Sequence, residues 1–137
     1  MPLVRIDVTS DRTREQQRAI ADAVHDALVE VLKIPVRDRF QIITAHDSAN
    51  IVAEDAGLGF RRSAQVVIVH IFTQSGRTTQ TKQEVFSALA AKLAAVDVAG
   101  ADLFVSISEN GPQDWSFGFG HAQYVTGELA VPTAASA

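Results

Sequence analysis

The chain of 137 residues has no cysteine. Disulfides, thiolate nucleophiles and cysteine-based metal sites are therefore excluded from the start. It also lacks an excess of positive charge. The formal balance is −4, so no global field draws the chain to nucleic acid or to an anionic membrane. No stretch approaches the roughly 18 uninterrupted apolar residues of a membrane-spanning helix. Near the start, Arg5, Asp7 and Asp11 interrupt any apolar run, which argues against a secretory signal. A cytoplasmic location is the expectation. What is present is a 47% share of apolar residues, enough for one real core. The reading is a single domain over residues 1–137.

Leu3–Val8 alternates and reads as a strand beginning almost at the chain terminus. Thr13 followed three residues later by Gln16 has the form of a capping box, and Ile20, Val24, Leu28, Val31 and Leu32 then form one apolar helix face. This helix should end before Pro35. Phe40–Ala45 reads as a second strand, and His46–Ser63 carries turn chemistry. Val66–Phe72 is the most apolar run, rich in β-branched residues, and reads as a buried strand. A second helix is expected at Thr79–Ala95, with Val85, Leu89 and Leu93 on one face and Phe86 beside them. Leu103–Ser108 reads as a strand, followed by the aromatic, glycine-rich Trp115-Ser116-Phe117-Gly118-Phe119-Gly120 and a short strand-like piece near Gln123–Thr126. The tail Val131–Ala137 reads as a frayed end.

The order β-α-β occurs twice, and the copies align at a constant offset. Ile6 meets Ile71, Ser10 meets Ser75, Arg12 meets Arg77, Thr13 meets Thr78 and Ile42 meets Ile107. We read a duplicated unit, with copies at about 2–46 and 66–110 and a C-terminal segment at 111–137. Two strands joined by a long helix imply a parallel pair. The fold class is therefore α/β (α+β): a four-stranded sheet with both helices on one face. Its other face would lie open and require a partner, so an oligomer is expected.

Pro2 breaks the repeat. Its counterpart is Val67, deep inside the chain. Removal of Met1, normal before proline, would leave Pro2 with a free secondary amine. Such an amine can act as general base, general acid or carbonyl nucleophile, and burial or a nearby cation shifts its basicity.

Pro2-Leu3-Val4-Arg5-Ile6-Asp7, the Gly76-Arg77-Thr78 turn and the paired β-α-β layout resemble the tautomerase superfamily. Asp38-Arg39-Phe40-Gln41-Ile42, Glu54 through Phe60, and Glu109-Asn110 leading into Asp114-Trp115-Ser116-Phe117-Gly118-Phe119-Gly120 resemble the malonate semialdehyde decarboxylase family within it. The resemblance runs from about Pro2 to Leu129. It implies a homotrimer, no metal or organic cofactor, and loss of CO₂ from a small-molecule 3-oxo acid to leave acetaldehyde. It assigns polarisation of the carbonyl to Pro2, the grip on the carboxylate to Arg77 and positioning of the reacting groups to Asp38. Trp115, Phe117, Tyr124 and Leu129 would form an apolar wall. Better-known members carry two close arginines after the third strand. Here Gln74 and Arg77 stand there, so Gln74 is assigned to substrate binding without charge.

Two other functions stay open on the sequence. One is a keto–enol tautomerase of a 2-oxo acid, or a hydratase of an unsaturated acid, with Pro2 as acid or base. The other is a non-catalytic trimeric binding protein. The four histidines, His25, His46, His70 and His121, lack metal-like spacing. His25 is expected on the surface of the first helix, and His70 to be hydrogen-bonded within its strand. Gly57-Leu58-Gly59 reads as a turn, and Arg61-Arg62 as a solvated or intersubunit pair rather than a nucleic-acid patch.

Overall fold

The alternation of the first residues becomes a strand in the computed structural model, which describes residues 1–132. Strand β1 spans Leu3–Thr9, with Val4, Ile6 and Val8 buried on one face. Helix α1, Arg14–Leu32, opens with the expected capping box. Thr13 Oγ1 accepts from the Gln16 N–H at 3.1 Å, and Gln16 Oε1 accepts from the Thr13 N–H at 2.8 Å. These bonds satisfy donors that a helix start otherwise leaves free. Lys33, left-handed at φ 57°, closes the helix ahead of Pro35.

Strand β2 spans Phe40–His46, β3 Val67–Gln74, α2 Thr79–Ala94 and β4 Leu103–Asn110. The sheet order is β2-β1-β3-β4. β1 and β2 are parallel, β3 and β4 are parallel, and β1 and β3 are antiparallel. Ile20, Val24 and Leu28 of α1 and Val85, Leu89 and Leu93 of α2 share one core with Val4, Ile6, Val8, Val67, Val69 and Ile71. Both helices thus cover the same face. Truncating a fully buried member such as Leu28 or Leu89 to alanine would cost about 2–5 kcal/mol.

The opposite face carries Phe40, Ile42 and Phe104, which are 39%, 42% and 47% exposed. That face also corrects the reading of β3 as buried on both sides. Val67, Val69 and Ile71 are buried, but Ile68, His70 and Phe72 are only half-buried. An apolar run alone does not report on what covers each face. His70 Nε2 meets Ser108 Oγ of the neighbouring strand at 2.8 Å, as expected.

Two further expectations are corrected. Gln123–Thr126 is a single helical turn, α3, not a strand. Its β-branched residues are overruled by local closure: the Val125 and Thr126 N–H groups both donate to Ala122 O, and Gly127 at φ 84° ends the turn. His25 is buried, not on the helix surface, and its ring Nε2 donates to Val36 O at 2.8 Å. Of the expected frayed tail, Val131 and Pro132 are described, and residues 133–137 lie outside the described residues.

Because β1 and β2 run against β3 and β4, one end of the sheet gathers two strand starts and two strand ends. Leu3 pairs with both Phe40 and Phe72, and Gln74 with Asn110. Everything that follows sits at this end.

Candidate active site

Asp38 lies in the connection from α1 to β2. Its N–H donates to Pro35 O at 2.9 Å, and His25 fixes the same connection through Val36. The carboxylate is 7% exposed and stands 3.7 Å from the chain's terminal amine, here that of Met1. Asp38 Oδ1 has no hydrogen-bond partner among the described residues. Burial pushes this carboxyl above its ordinary range, opposed by the terminal cation and by Arg77. Burial likewise lowers the terminal amine, opposed by Asp38.

Arg77 follows β3 through Gly76, whose φ of 122° gives the turn a conformation that side chains rarely adopt. Thr78 then caps α2 by accepting from the Thr81 N–H. Arg77 Nη1 donates to Thr73 Oγ1 at 3.0 Å and to Gln74 O at 3.2 Å. Its Nε is buried without a partner. Burial works against the guanidinium charge, while Glu109, Asp38 and Tyr124 support it. Gln74 is buried. Its Nε2 donates to Pro132 O at 2.9 Å and its Oε1 has no partner.

The segment after β4 supplies the aromatic wall. Trp115 and Phe117 lie parallel at 6.0 Å, Phe117 meets Tyr124 edge-on at 5.3 Å, and Phe40 joins Phe117 at 5.8 Å. Trp115 Nε1 donates to Asn110 Oδ1 at 2.8 Å. Gln123 ties the segment together: its Oε1 accepts from the Phe117 N–H, and its Nε2 donates to Gly118 O. Burial, with Asp38 nearby, pushes the Tyr124 phenol up to about 12. Leu129 is 40% exposed and is tied in by its backbone N–H, which donates to Gln123 O.

A cleft of about 520 Å³ opens beside this wall, lined by Leu3, Phe40, Phe72, Asn110, Trp115 and Phe117 among others. Pro2, Asp38 and Arg77 do not line it. Pro2 and Asp38 lie close in the chain to its lining residues Leu3 and Phe40, Arg77 instead lines a separate small crevice with Thr73 and Lys82, and the buried Met1 covers the nitrogen of Pro2. The structure therefore gathers Pro2, Asp38, Arg77, Gln74 and the aromatic residues at one end of the sheet, in two adjoining parts. The sequence reading did not single out Asn110 or Phe40 as site residues. Their signal was positional, since both sit where strands end or begin at this edge.

A model of tautomerase enzymes matches residues 38–118, and a second matches residues 2–61. The probable tautomerase YrdN of Bacillus subtilis (strain 168) is 38% identical over 130 residues, covering 94% of this chain and 100% of that protein. The chain belongs to the tautomerase family of enzymes. More particularly, it is similar to the FG41 malonate semialdehyde decarboxylase solved after inhibition by 3-bromopropiolate. The TM-score is 0.94 and the identity 72%, over 95% of this chain and 99% of that one. A second malonate semialdehyde decarboxylase, described with decarboxylase and hydratase activities, matches with a TM-score of 0.89 and 33% identity, over 93% and 99%.

Proposed function

We propose that this enzyme decarboxylates malonate semialdehyde, or a close 3-oxo acid, to acetaldehyde and CO₂, working as a homotrimer from the amine of Pro2. The observation that carries the reading is the meeting of a terminal amine, the buried Asp38 and the half-buried Arg77 at one sheet end. The 72% identity to a malonate semialdehyde decarboxylase names the substrate class.

Met1 is bonded to the Pro2 nitrogen and fills the space beside it. Its removal frees a secondary amine next to Asp38 and opens room for a substrate carbonyl. Arg77, with an unpartnered Nε, grips the carboxylate. Protonated Pro2 donates a hydrogen bond to the 3-oxo oxygen. The bond between the carboxylate carbon and its neighbour then breaks. Its electron pair enters the carbonyl as Pro2 passes its proton to the oxygen, giving neutral CO₂ and an enol; the enol carbon then takes a proton from solvent while its oxygen returns one to Pro2, leaving acetaldehyde. Asp38 keeps Pro2 protonated and in place. The aromatic wall solvates the anion poorly, which favours its loss as neutral CO₂. The exposed apolar sheet face fits packing against further copies.

A second reading, keto–enol tautomerisation of a 2-oxo acid, is favoured by the burial that lowers the terminal amine. A neutral Pro2 would then be the base. The test is acetaldehyde release from malonate semialdehyde by Met1-free protein, beside a sample retaining Met1 and an Arg77→Ala variant. Release by the first alone supports the decarboxylase. No release from Met1-free trimer, together with turnover of a 2-oxo acid, would transfer the assignment to tautomerisation.

A further inference from the structure

Arg77 has a charged neighbour that the proposed reaction does not use. Glu109, near the end of β4, is in register with Thr73 of β3. Thr73 Oγ1 is also the acceptor for Arg77 Nη1 at 3.0 Å. Glu109 and the Arg77 guanidinium thus flank one residue, and adjacent strands lie only about 5 Å apart. Carboxylate and guanidinium form the strongest pair in the side-chain inventory, often with two parallel hydrogen bonds. Yet among the described residues Arg77 has no carboxylate partner. Glu109 is held instead by Lys82 of α2, with Nζ to Oε1 at 2.5 Å. Lys82 also lines the small crevice into which Arg77 and Thr73 face.

We propose that Lys82 is a positioning residue that holds Glu109 away from Arg77 and so leaves the guanidinium fork free for a substrate carboxylate. The inference rests on the reading of Arg77 as the carboxylate grip. An internal carboxylate is tethered, so it competes at a high effective concentration with any free anion. Without Lys82, Glu109 becomes that competitor. With Lys82 present, Glu109 still supports the charge on Arg77 from a distance without occupying its donors.

The test is a double-mutant cycle on Met1-free trimer, with two readouts: steady-state decarboxylation, and calorimetric binding of malonate as a non-reacting carboxylate. Lys82→Met should raise KM and weaken malonate binding by roughly fivefold to tenfold, with kcat nearly unchanged, as expected for losing one competed anion contact. Glu109→Gln alone should leave KM unchanged or lower it. The double variant Lys82→Met/Glu109→Gln should recover the wild-type KM. A purely structural pair would give no such rescue, because both variants would lack the ion pair. Unchanged KM and malonate affinity in folded Lys82→Met would overturn the inference, as would a double variant as poor as Lys82→Met. The two levels separate through Arg77→Ala. If that variant loses malonate binding while Lys82→Met does not, only the role of Lys82 falls. If Arg77→Ala binds malonate normally, the reading of Arg77 falls and the role of Lys82 with it.

Discussion

Arg12 and Arg77 occupy matching turns at opposite ends of the sheet, yet their surroundings differ. At the Arg12 end the chain passes through. Arg12 Nη2 donates to Gln65 O at 3.0 Å, just ahead of β3. Asp102, immediately before β4, is buried and accepts from both the N–H and the hydroxyl of Ser63 at 2.6 Å. At the Arg77 end only Met1 and Pro2 precede β1 in the described chain. Asp38, close before β2, meets an amine rather than a peptide group. Its Oδ1 and the Arg77 Nε are left without partners. Arg12 Nε also lacks one, and Arg77 Nη1 is itself bonded to Thr73 and Gln74, so the contrast lies in the two carboxylates. One scaffold thus pairs both oxygens of its buried carboxylate with Ser63 at one end, and at the other leaves one oxygen of Asp38 open beside an amine.

The largest expected effect comes from exchanging the arginines. Arg77→Ala should lower kcat/KM by about a hundredfold or more while melting near wild type. Arg12→Ala should keep its kcat/KM and lose about 1–3 kcal/mol of stability, because the buried Arg12 side chain gives up its packing and its bond to Gln65 O. Equal effects from both variants, in kinetics and in melting, would erase the distinction. The carboxylates sharpen it next. Asp38→Asn should cut turnover by about a hundredfold. Asp102→Ala should instead cost about 1–3 kcal/mol by leaving the Ser63 donors unpaired, with turnover intact.

Retained Met1 makes the open end resemble the filled one, so such protein should show no turnover until Met1 is removed by an aminopeptidase. The smallest effect concerns the wall. The chain has one tyrosine, so phenolate absorbance reports Tyr124 alone. It should titrate at about 12, above its ordinary 10.0. The neutral phenol therefore stabilises the fold, fully below pH 10 and progressively less as pH rises through the folded value. A midpoint near 10 would show that the phenol is solvated.

Much of the scaffold was legible. The Thr13–Gln16 spacing located the start of α1, the apolar faces located both helices, and the offset between Arg12 and Arg77 exposed the repeat. Less of the site was legible. Pro2, Arg77 and Asp38 were named on chemistry and family likeness, and nothing local in the sequence marks Asp38 as buried. Its burial depends on the connection that His25 anchors, and His25 itself was misjudged because a buried polar ring at helical spacing looks like a surface one. The Gln123–Thr126 turn was missed because β-propensity says little about four residues closed by local hydrogen bonds.

The sequence by itself determined the elements, their order, the apolar face of each helix and the asymmetry between Pro2 and Val67. Those depend on periodicity and capping, which are local. The tertiary structure alone decided which charges are paired and which are left open. Antiparallel pairing of β1 with β3 brings Asp38, Arg77, Glu109 and the aromatic wall to one edge from distant parts of the chain. Burial there, together with the presence or absence of a passing backbone, sets whether each polar group is satisfied.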